Sequence, residues 1–472
     1  MKKMLIIPLV CAMLFGACAT GENNAATGGK TTLRMLMTEM DRGESRWDDF
    51  AYYMETYTPQ IGCTADAGPA VLANHTVPYL PVRGLGDIAV QTVPTGMAAL
   101  PYGTYPNAAG IAASYFDDVA LKLLAGDDDF DMFLIGMESY MNATSQFSMM
   151  LNKNYFLPME ALGLESLFDS MLPGVKDICT ADGAILLAPV RLSYWGVVMQ
   201  PLVLARLGIV PEDIPRTANA FTDFFLNVRD RLESEEIALF SESHSDFLIR
   251  QFEGQYISAY MSHAADTQAL WDAMLDTLDK LYGAGLVPLT ARVLPDGGAA
   301  DFAPAFPYTT AVFDSFRRIT GSGLDEELMP NQSPSDRRME NHVDPVLPHL
   351  LLTEDAKAPL YGGVFIAVNP NSKNLDAVRD FLTTILSEDF RHSFNIEQDL
   401  WELYENADNA LRNDYAVYRE AVAHSAMSPV FSRYYRGEYI NHTDYAAYRT
   451  GTLSAAEWKA KVDRELEFLR DE

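Results

Sequence analysis

The sequence predicts an α/β protein of two lobes. Short apolar runs, each too short for a helix of the usual length, alternate with stretches whose apolar residues recur at helical spacing. That alternation argues for mostly parallel sheets covered by helices. The chain has 472 residues, 48% of them hydrophobic, enough for a large core and for more than one unit of ordinary size.

Leu33 to Met37, Asp131 to Ile135, Ala184 to Val190 and Val364 to Val368 read as buried strands. Between them, Phe116, Val119, Leu123 and Leu124 share one helical face. Leu270, Met274, Leu278 and Leu281 repeat that pattern, as do Leu375, Val378, Leu382 and Ile385. Residues 58–107 break the rhythm: rich in Ala, Pro, Gly and Thr, they predict irregular loops around one strand, Ile88 to Val93. Residues 321–357 are similar, with Pro330, Pro334, Pro345 and Pro348 limiting regular structure. From Phe390 onward the chain reads as largely helical. Ser454 with Glu457 forms a capping box for a last helix whose apolar face is Trp458, Val462, Leu466 and Leu469. Trp271 and Trp458 lie on such faces and read as core, with Met149 and Met150 filling gaps.

At the N-terminus, Lys2 and Lys3 precede an apolar run from Leu5 to Ala17 that stops at Cys18. The run is shorter than the roughly 20 residues a membrane-spanning helix needs, and the pattern is that of an export signal. Gly16-Ala17-Cys18 resembles a bacterial lipoprotein box, with Phe15 where that box usually carries Leu. The resemblance implies cleavage before Cys18 and a lipid on its sulfur; a plain signal peptide with a coincidental cysteine is the alternative. Residues 21–30 have almost nothing to bury and predict a disordered leash with a reach of roughly 17 Å. Lipoproteins carry at least a diacylglyceryl group, and two chains hold a protein stably where one does not.

Loss of residues 1–17 removes two of the 35 basic residues and leaves all 65 acidic ones, a net charge of -32. That balance repels phosphate backbones and anionic headgroups, which argues against nucleic acid and against peripheral membrane binding. Of the four cysteines, Cys63 and Cys179 lie beyond the signal, and either one disulfide or two buried thiols fits them.

No constellation for catalysis is legible. The eight histidines are scattered, and there is no His-Glu-x-x-His, no Cys-x-x-Cys, no Gly-x-Ser-x-Gly and no phosphate-binding Gly-x-x-x-x-Gly-Lys loop. Ser243-His244-Ser245-Asp246 contains triad residue types but reads as a polar loop, since triads assemble in space. Asp127-Asp128-Asp129 lacks the spaced ligands of a calcium loop and reads as a solvated turn. Paired carboxylates for glycoside hydrolysis stay open among so many acidic residues.

Several segments resemble the extracellular solute-binding lipoproteins of bacterial ABC importers, the family 1 type that mostly carries sugars. Leu123 to Phe133 is similar to the family's helix-turn-strand L-x-A-G-x-x-x-D-V-F, and Gly183 to Val190 followed by Tyr194 to Met199 to its strand crossing between lobes. Leu207-Gly208-Ile209, Ile214 to Thr217 and Phe221 resemble a third motif, with Ala218 in place of its Trp. Val368-Asn369-Pro370-Asn371-Ser372-Lys373-Asn374, with Ala377 and Phe381-Leu382, resembles a fourth, and the tail from Leu453 to Glu472 a fifth. Together they span residues from about 110 to 472 in the expected order; residues 58–107 match nothing.

The resemblance implies a two-lobed periplasmic-binding-protein-like (type II) fold, α/β, with a ligand cleft between the lobes and a helical C-terminal tail. It places residues 31–192 with 360–388 in one lobe and 193–359 with 389–472 in the other. It implies a monomer without chemistry, cofactor or metal, tethered to the outer face of the cytoplasmic membrane, delivering a small solute, most readily a carbohydrate, to a permease. A peptide, amino acid or polyamine, or a surface glycoside hydrolase, is the rival reading.

Ligands of open α/β sheets sit beyond the carboxyl ends of the strands. Glu39 and Asp41 follow the first strand, and Met137, Glu138 and Tyr140 the second. Arg191, Tyr194 and Trp195 follow the crossing strand, Asp314 and Phe316 follow the run Thr309 to Phe313, and Tyr361 and Trp401 come later. Rings stack on apolar sugar faces while charged and amide groups satisfy hydroxyls. Trp195 and Trp401 read equally well as packing residues, and each Tyr, Glu or Asp as plain surface.

Overall fold

The structure is a computed structural model and describes residues 31–38, 40–41, 81–85, 88–95, 108–241, 247–261, 266–287, 310–320, 323–325, 345–359, 362–388, 390–391, 403–405, 413–426 and 442–471. The strands are β1 (Thr31–Thr38), β2 (Pro81–Leu85), β3 (Ile88–Thr95), β4 (Met132–Gly136), β5 (Thr180–Ala181), β6 (Ala184–Ile185) and β7 (Ala188–Met199). They continue with β8 (Ile237–Phe240), β9 (Thr310–Thr320), β10 (Gly323–Asp325), β11 (Val346–Leu347), β12 (Ala358–Pro359), β13 (Gly362–Val368) and β14 (Ser425–Ala426). The main sheet has the order β10-β9-β7-β13-β4-β1-β3-β2, with β11 added on β7 and β8 on β9.

The predicted runs are strands β1, β4 and β13, and Ile88 to Val93 lies within β3. The run from Ala184 is interrupted: β6 ends at Ile185 and β7 begins at Ala188. A second strand, β2, occupies a stretch expected to hold one. Pro81 opens it at the sheet edge, where a missing N–H interrupts no interior ladder.

The sheet is mixed rather than mostly parallel. β1 runs parallel to β3 and β4, and β8 to β9, but β13 and β7 are antiparallel to each other and to β4 and β9. The cause is connectivity. The chain leaves one half of the sheet through β7 and returns through β13, so the two must run in opposite directions.

β7 is the joint. Ala188 to Ser193 pair with β13, and Ser193 to Met199 pair with β9, so one strand belongs to both halves. Ser193 has both a β13 partner, Gly362, and a β9 partner, Thr320. A Cβ built on Gly362 would lie 2.2 Å from Ser193 Oγ and 3.2 Å from Met137 Sδ, so only glycine lets β13 start this close.

The helices used below are α1 (Ala108–Ala125), α2 (Met137–Asn142), α3 (Phe247–Met261), α4 (Thr267–Gly283), α5 (Leu375–Leu386), α6 (Asn413–Ala423), α7 (His442–Arg449) and α8 (Ala455–Asp471). Phe116, Val119 and Leu123 are buried on α1, but Leu124 is 67% exposed. It lies one position beyond Leu123 in the final turn, which rotates it out of the core stripe. The predicted faces of α4 and α5 are buried, with Leu375 half-buried at the start of α5.

The tail is part of the body. Trp458 of α8 meets Trp271 of α4 edge-on at 5.1 Å between ring centres, and Trp271 meets Tyr256 of α3 at 5.0 Å. Tyr448 and Arg449 of α7 donate to Asp279 of α4 at 2.8 and 3.0 Å. The capping box forms as predicted: Ser454 N donates to Glu457 Oε2 at 2.9 Å, and Glu457 N to Ser454 Oγ at 3.2 Å. Met150 is fully buried beside half-buried Met149, as expected for gap-filling side chains.

The motif from Val368 to Asn374 locks three segments together. Asn369 Nδ2 donates to the carbonyls of Asp127 and Phe130 at 2.8 and 2.7 Å, and Asn371 Nδ2 to Leu123 O at 3.2 Å. Asp131, 2% exposed, accepts from Ser372 Oγ, from Asn374 Nδ2 at 3.1 Å and from the Arg34 amide at 2.7 Å. The acidic turn 127–129 is a surface turn stitched by Lys122 to Asp127 and Lys373 to Asp128.

A second stitched segment, residues 348–352, threads past α3. Gln251 accepts from Leu350 N at 2.6 Å and donates to Pro348 O at 3.4 Å. Gln255, one turn on, accepts from Leu352 N at 2.8 Å and donates to Leu350 O at 2.7 Å. Two amides four residues apart on a helix thus substitute for a partner strand. His349 lies in this segment with 1% exposure, facing Tyr194, His424, the Glu420 backbone and Arg216.

Burial, with His424 next, pushes the His349 imidazole down from 6.5 to about 3. Its folded state therefore requires a neutral ring. That stability is complete above the unfolded value and is lost as pH falls from 6.5 towards 3. His424 is lowered in the same direction, first by its own burial. Urea denaturation from pH 7 to 4 is expected to show stability falling, with His349 contributing about 1.4 kcal/mol per pH unit. His349→Gln should flatten that slope; an unchanged slope would remove His349 as its cause.

Candidate functional site

β1 and β4 are parallel neighbours, so their carboxyl ends open at the same edge of the sheet. There β4 ends at Gly136 and α2 begins at once with Met137. The first amides of a helix need acceptors, and Gly136 has no side chain to supply one. Asp41 supplies it from beyond β1. Its Oδ1 accepts from Ser139 N at 3.1 Å and its Oδ2 from Ser139 Oγ. Thr38 completes the corner: its Oγ1 accepts from Asp41 N at 3.0 Å and lies 3.2 Å from Ser139 Oγ. Thr38, Asp41 and Ser139 all have 0% exposure.

Beneath this corner Tyr115 of α1 donates its hydroxyl to Leu134 O at 2.8 Å and Leu36 O at 3.2 Å, bridging the two strands. Burial raises its pKa well above the usual phenol value, and the carboxylates of Asp41 and Asp118 push the same way. The hydroxyl keeps its proton and stays a donor. On the other side stand Met137, half-buried, and then Gly362 and Ser193 at the joint.

The other half of the sheet contributes a second corner. Phe240 pairs with Phe313, so Ser241 and Asp314 meet just past the carboxyl end of β8. Gln200, immediately after β7, donates through Nε2 to Asp314, which is half-buried.

The structure thus brings Asp41, Met137 and the backbone of Glu138 to one strand-end corner and Asp314 to another, with Arg191 and Tyr194 on the strand between. Arg191 is 3% exposed and pairs with Val364 in the ladder. Tyr194 has 0% exposure and packs on His349 and Tyr418 with ring centres 6.2 and 6.4 Å away. Burial raises its hydroxyl pKa, with Ser425 as hydrogen-bond neighbour acting in the opposite sense. Tyr140 does not reach the corner: it stacks on Phe147 at 5.7 Å inside the core.

Trp195 pairs with Arg318 and Phe316 with Val197 along the β7–β9 ladder, but their side chains and that of Glu138 lie outside the described residues. So do Glu39, Tyr361, Trp401, Cys18, Cys63 and the Ser243–Asp246 loop. Cys179 is a buried thiol, held protonated by burial.

Sequence reasoning passed over Thr38, Ser139, Ser193, Gln200, Ser241 and Gly362. Gly362-Gly363 opening an apolar run was the readable signal, since glycine inside a strand marks close backbone approach. A separate cavity of about 270 Å³ lies between Leu172-Pro173 and α6, lined also by Ala416, Arg419, Glu420 and Ala423. None of the predicted residues lines it.

Solved structures share this fold over nearly the whole chain. A cyclic alpha-maltosyl-1,6-maltose binding protein from Arthrobacter globiformis is 12% identical, covering 94% of this chain and 99% of its own, with a TM-score of 0.50. The sugar-binding protein MalE from Xanthomonas citri is 13% identical over 93% of this chain and 98% of its own, with a TM-score of 0.53. An extracellular solute-binding protein of family 1 from Alicyclobacillus acidocaldarius is 12% identical over 93% and 99%, with a TM-score of 0.52. No protein-family model matches the chain, and no curated protein matches it. The chain has the two-lobed fold of solute-binding proteins.

The Asp41 corner is tight enough to test. A Cβ on Gly136 would lie 2.5 Å from Asp41 Oδ1, so Gly136→Ala must displace the carboxylate from Ser139. The expected loss is about 1–3 kcal/mol in urea denaturation. Ser139→Ala, which keeps the amide bond, should lose about 1 kcal/mol. A Gly136→Ala protein as stable as the parent would show that the carboxylate is not held there.

Proposed function

We propose that this chain is a substrate-binding lipoprotein that captures an extracellular carbohydrate for an ABC permease. The observation that carries the reading is β7: one strand serves both halves of the sheet, and polar strand-end corners stand on either side of it. Such a joint lets two lobes close on a solute by hinge motion. The near-complete coverage of sugar-binding proteins by the same fold supports carbohydrate as the solute class.

In this reading the lobes divide at Ser193, with residues 31–192 and 360–388 on one side and 193–359 and 389–472 on the other. Glu39, Met137 and Glu138 contact the solute from the first lobe, and Arg191, 3% exposed, supports them from within β7. Trp195, Asp314 and Phe316 contact the solute from the second, and Tyr361 and Trp401 complete the set of solute-binding residues. Asp41, Tyr140 and Tyr194 support these groups from within, as their burial favours. The protein performs no chemistry. It needs no cofactor and acts as a monomer held by Cys18 outside the cytoplasmic membrane.

A thermal-shift screen of oligosaccharides, amino acids, peptides and polyamines tests the solute class. A ligand at a hundredfold excess over its Kd should stabilise the protein by about 2.7 kcal/mol. A midpoint raised only by non-sugars would replace carbohydrate with that class, and hydrolysis of a glycan panel would replace binder with enzyme.

The anchor is tested separately by metabolic labelling with a lipid probe. The parent should be tagged, and Cys18→Ala should be untagged and released or unprocessed. Equal membrane retention of the two would exclude lipidation at Cys18.

A further inference from the structure

The ladder between β7 and β13 is broken at one place. Arg191 pairs with Val364 and Pro189 with Phe365, which leaves Val190 as an extra residue on β7. This β-bulge sits three residues before Ser193, where the strand passes from one half of the sheet to the other. Bulges bend a strand and increase its local twist.

Both carbonyls at the bulge are claimed by one side chain. Arg391 Nη1 donates to Val190 O at 3.0 Å and Nη2 to Pro189 O at 2.8 Å. Successive carbonyls of a regular strand point to opposite sides, so one guanidinium reaches both only because the strand is bent there. Arg391 has 0% exposure, and its amide donates to Ser387 O at 3.0 Å just beyond α5. Burial lowers its pKa to about 10, with Tyr404 and Tyr418 opposing that shift, so it is a cation at neutral pH. Tyr418 also packs on Tyr194, the residue after the handover. A fully buried cation is costly to keep, and a planar fork is the side chain that fits two adjacent oxygens.

We propose that Arg391 is a positioning residue: it clamps the Val190 bulge, and so sets the direction in which the crossing strand enters the second lobe and the resting angle between the lobes. The inference rests on the two-lobed binding reading but not on the identity of the solute. Arg191 and Tyr194 flank the point it controls, so the clamp also aims the strand's own side chains.

The test uses the unliganded full-length mature protein. Spin labels are attached through a ketone amino acid at positions 121 and 202, one in each half, where Leu121 and Leu202 are 68% and 81% exposed. Native cysteines are left untouched. Distances are then measured by pulsed electron resonance for the parent, Arg391→Lys and Arg391→Met. Both variants are expected to shift or broaden the distance distribution. Lys should do so less, since it keeps the charge and loses the fork. Val378→Ala, a buried truncation in α5, is expected to lower the melting midpoint with the parent distribution retained. If Arg391→Met does not fold, Arg391→Lys carries the comparison. A parent-like distribution in the folded Arg391 variants, or an equal shift in Val378→Ala, would overturn the proposal and leave Arg391 a core residue only. A failed sugar screen would leave this result untouched.

Discussion

A strand has two edges, and every buried amide and carbonyl along it needs a partner. β7 must meet that requirement while leaving one half of the sheet and entering the other. It does so by pairing with β13 up to Ser193 and with β9 from Ser193 on, so each half of the strand has a ladder partner. The rest of the architecture follows. β13 must start at the same point and run the opposite way, which is why its first residue is glycine against Ser193 and Met137. The bulge at Val190 leaves carbonyls that the ladder does not use, and they need a donor from elsewhere.

The same requirement recurs wherever distant segments meet, and buried polar side chains answer it. Asp131 holds Arg34, Ser372 and Asn374. Asp41 caps a helix about a hundred residues away, while Gln251 and Gln255 stand in for a strand beside residues 348–352. A lost partner in such a place leaves the other group buried and unpaired, which costs more than the bond contributed. Buried polar partners of this kind hold the strand ends in place, and in the proposed reading β7 is the joint about which the two lobes move.

Much of the fold was legible because short-range periodicity reports burial directly. Leu270, Met274, Leu278 and Leu281 share a face by helical geometry alone, and the core lies on that face. Val364 to Val368 is too short and too apolar to be anything but a buried strand or helix fragment, and the Ser454–Glu457 box is a local interaction between neighbours. Less of the candidate site was legible. Tyr140 follows β4 as expected, but Tyr194 lies in the middle of β7 and not after the crossing strand, and neighbouring rings enclose both in the core. Periodicity assigns a residue to an element and does not say what packs against its far side.

By itself, then, the sequence determined the local conformations: strands, helices, caps and the alternation that makes the protein α/β. These depend on residues within a few positions of one another. Only the tertiary structure decided at which residue the crossing strand changes partners and that the sheet is mixed. It also decided that Asp41 caps a helix and that Arg391 meets Val190. Each of those contacts joins residues far apart in the chain, and the order of residues carries no distance between them until the backbone's unpaired groups have been matched in space.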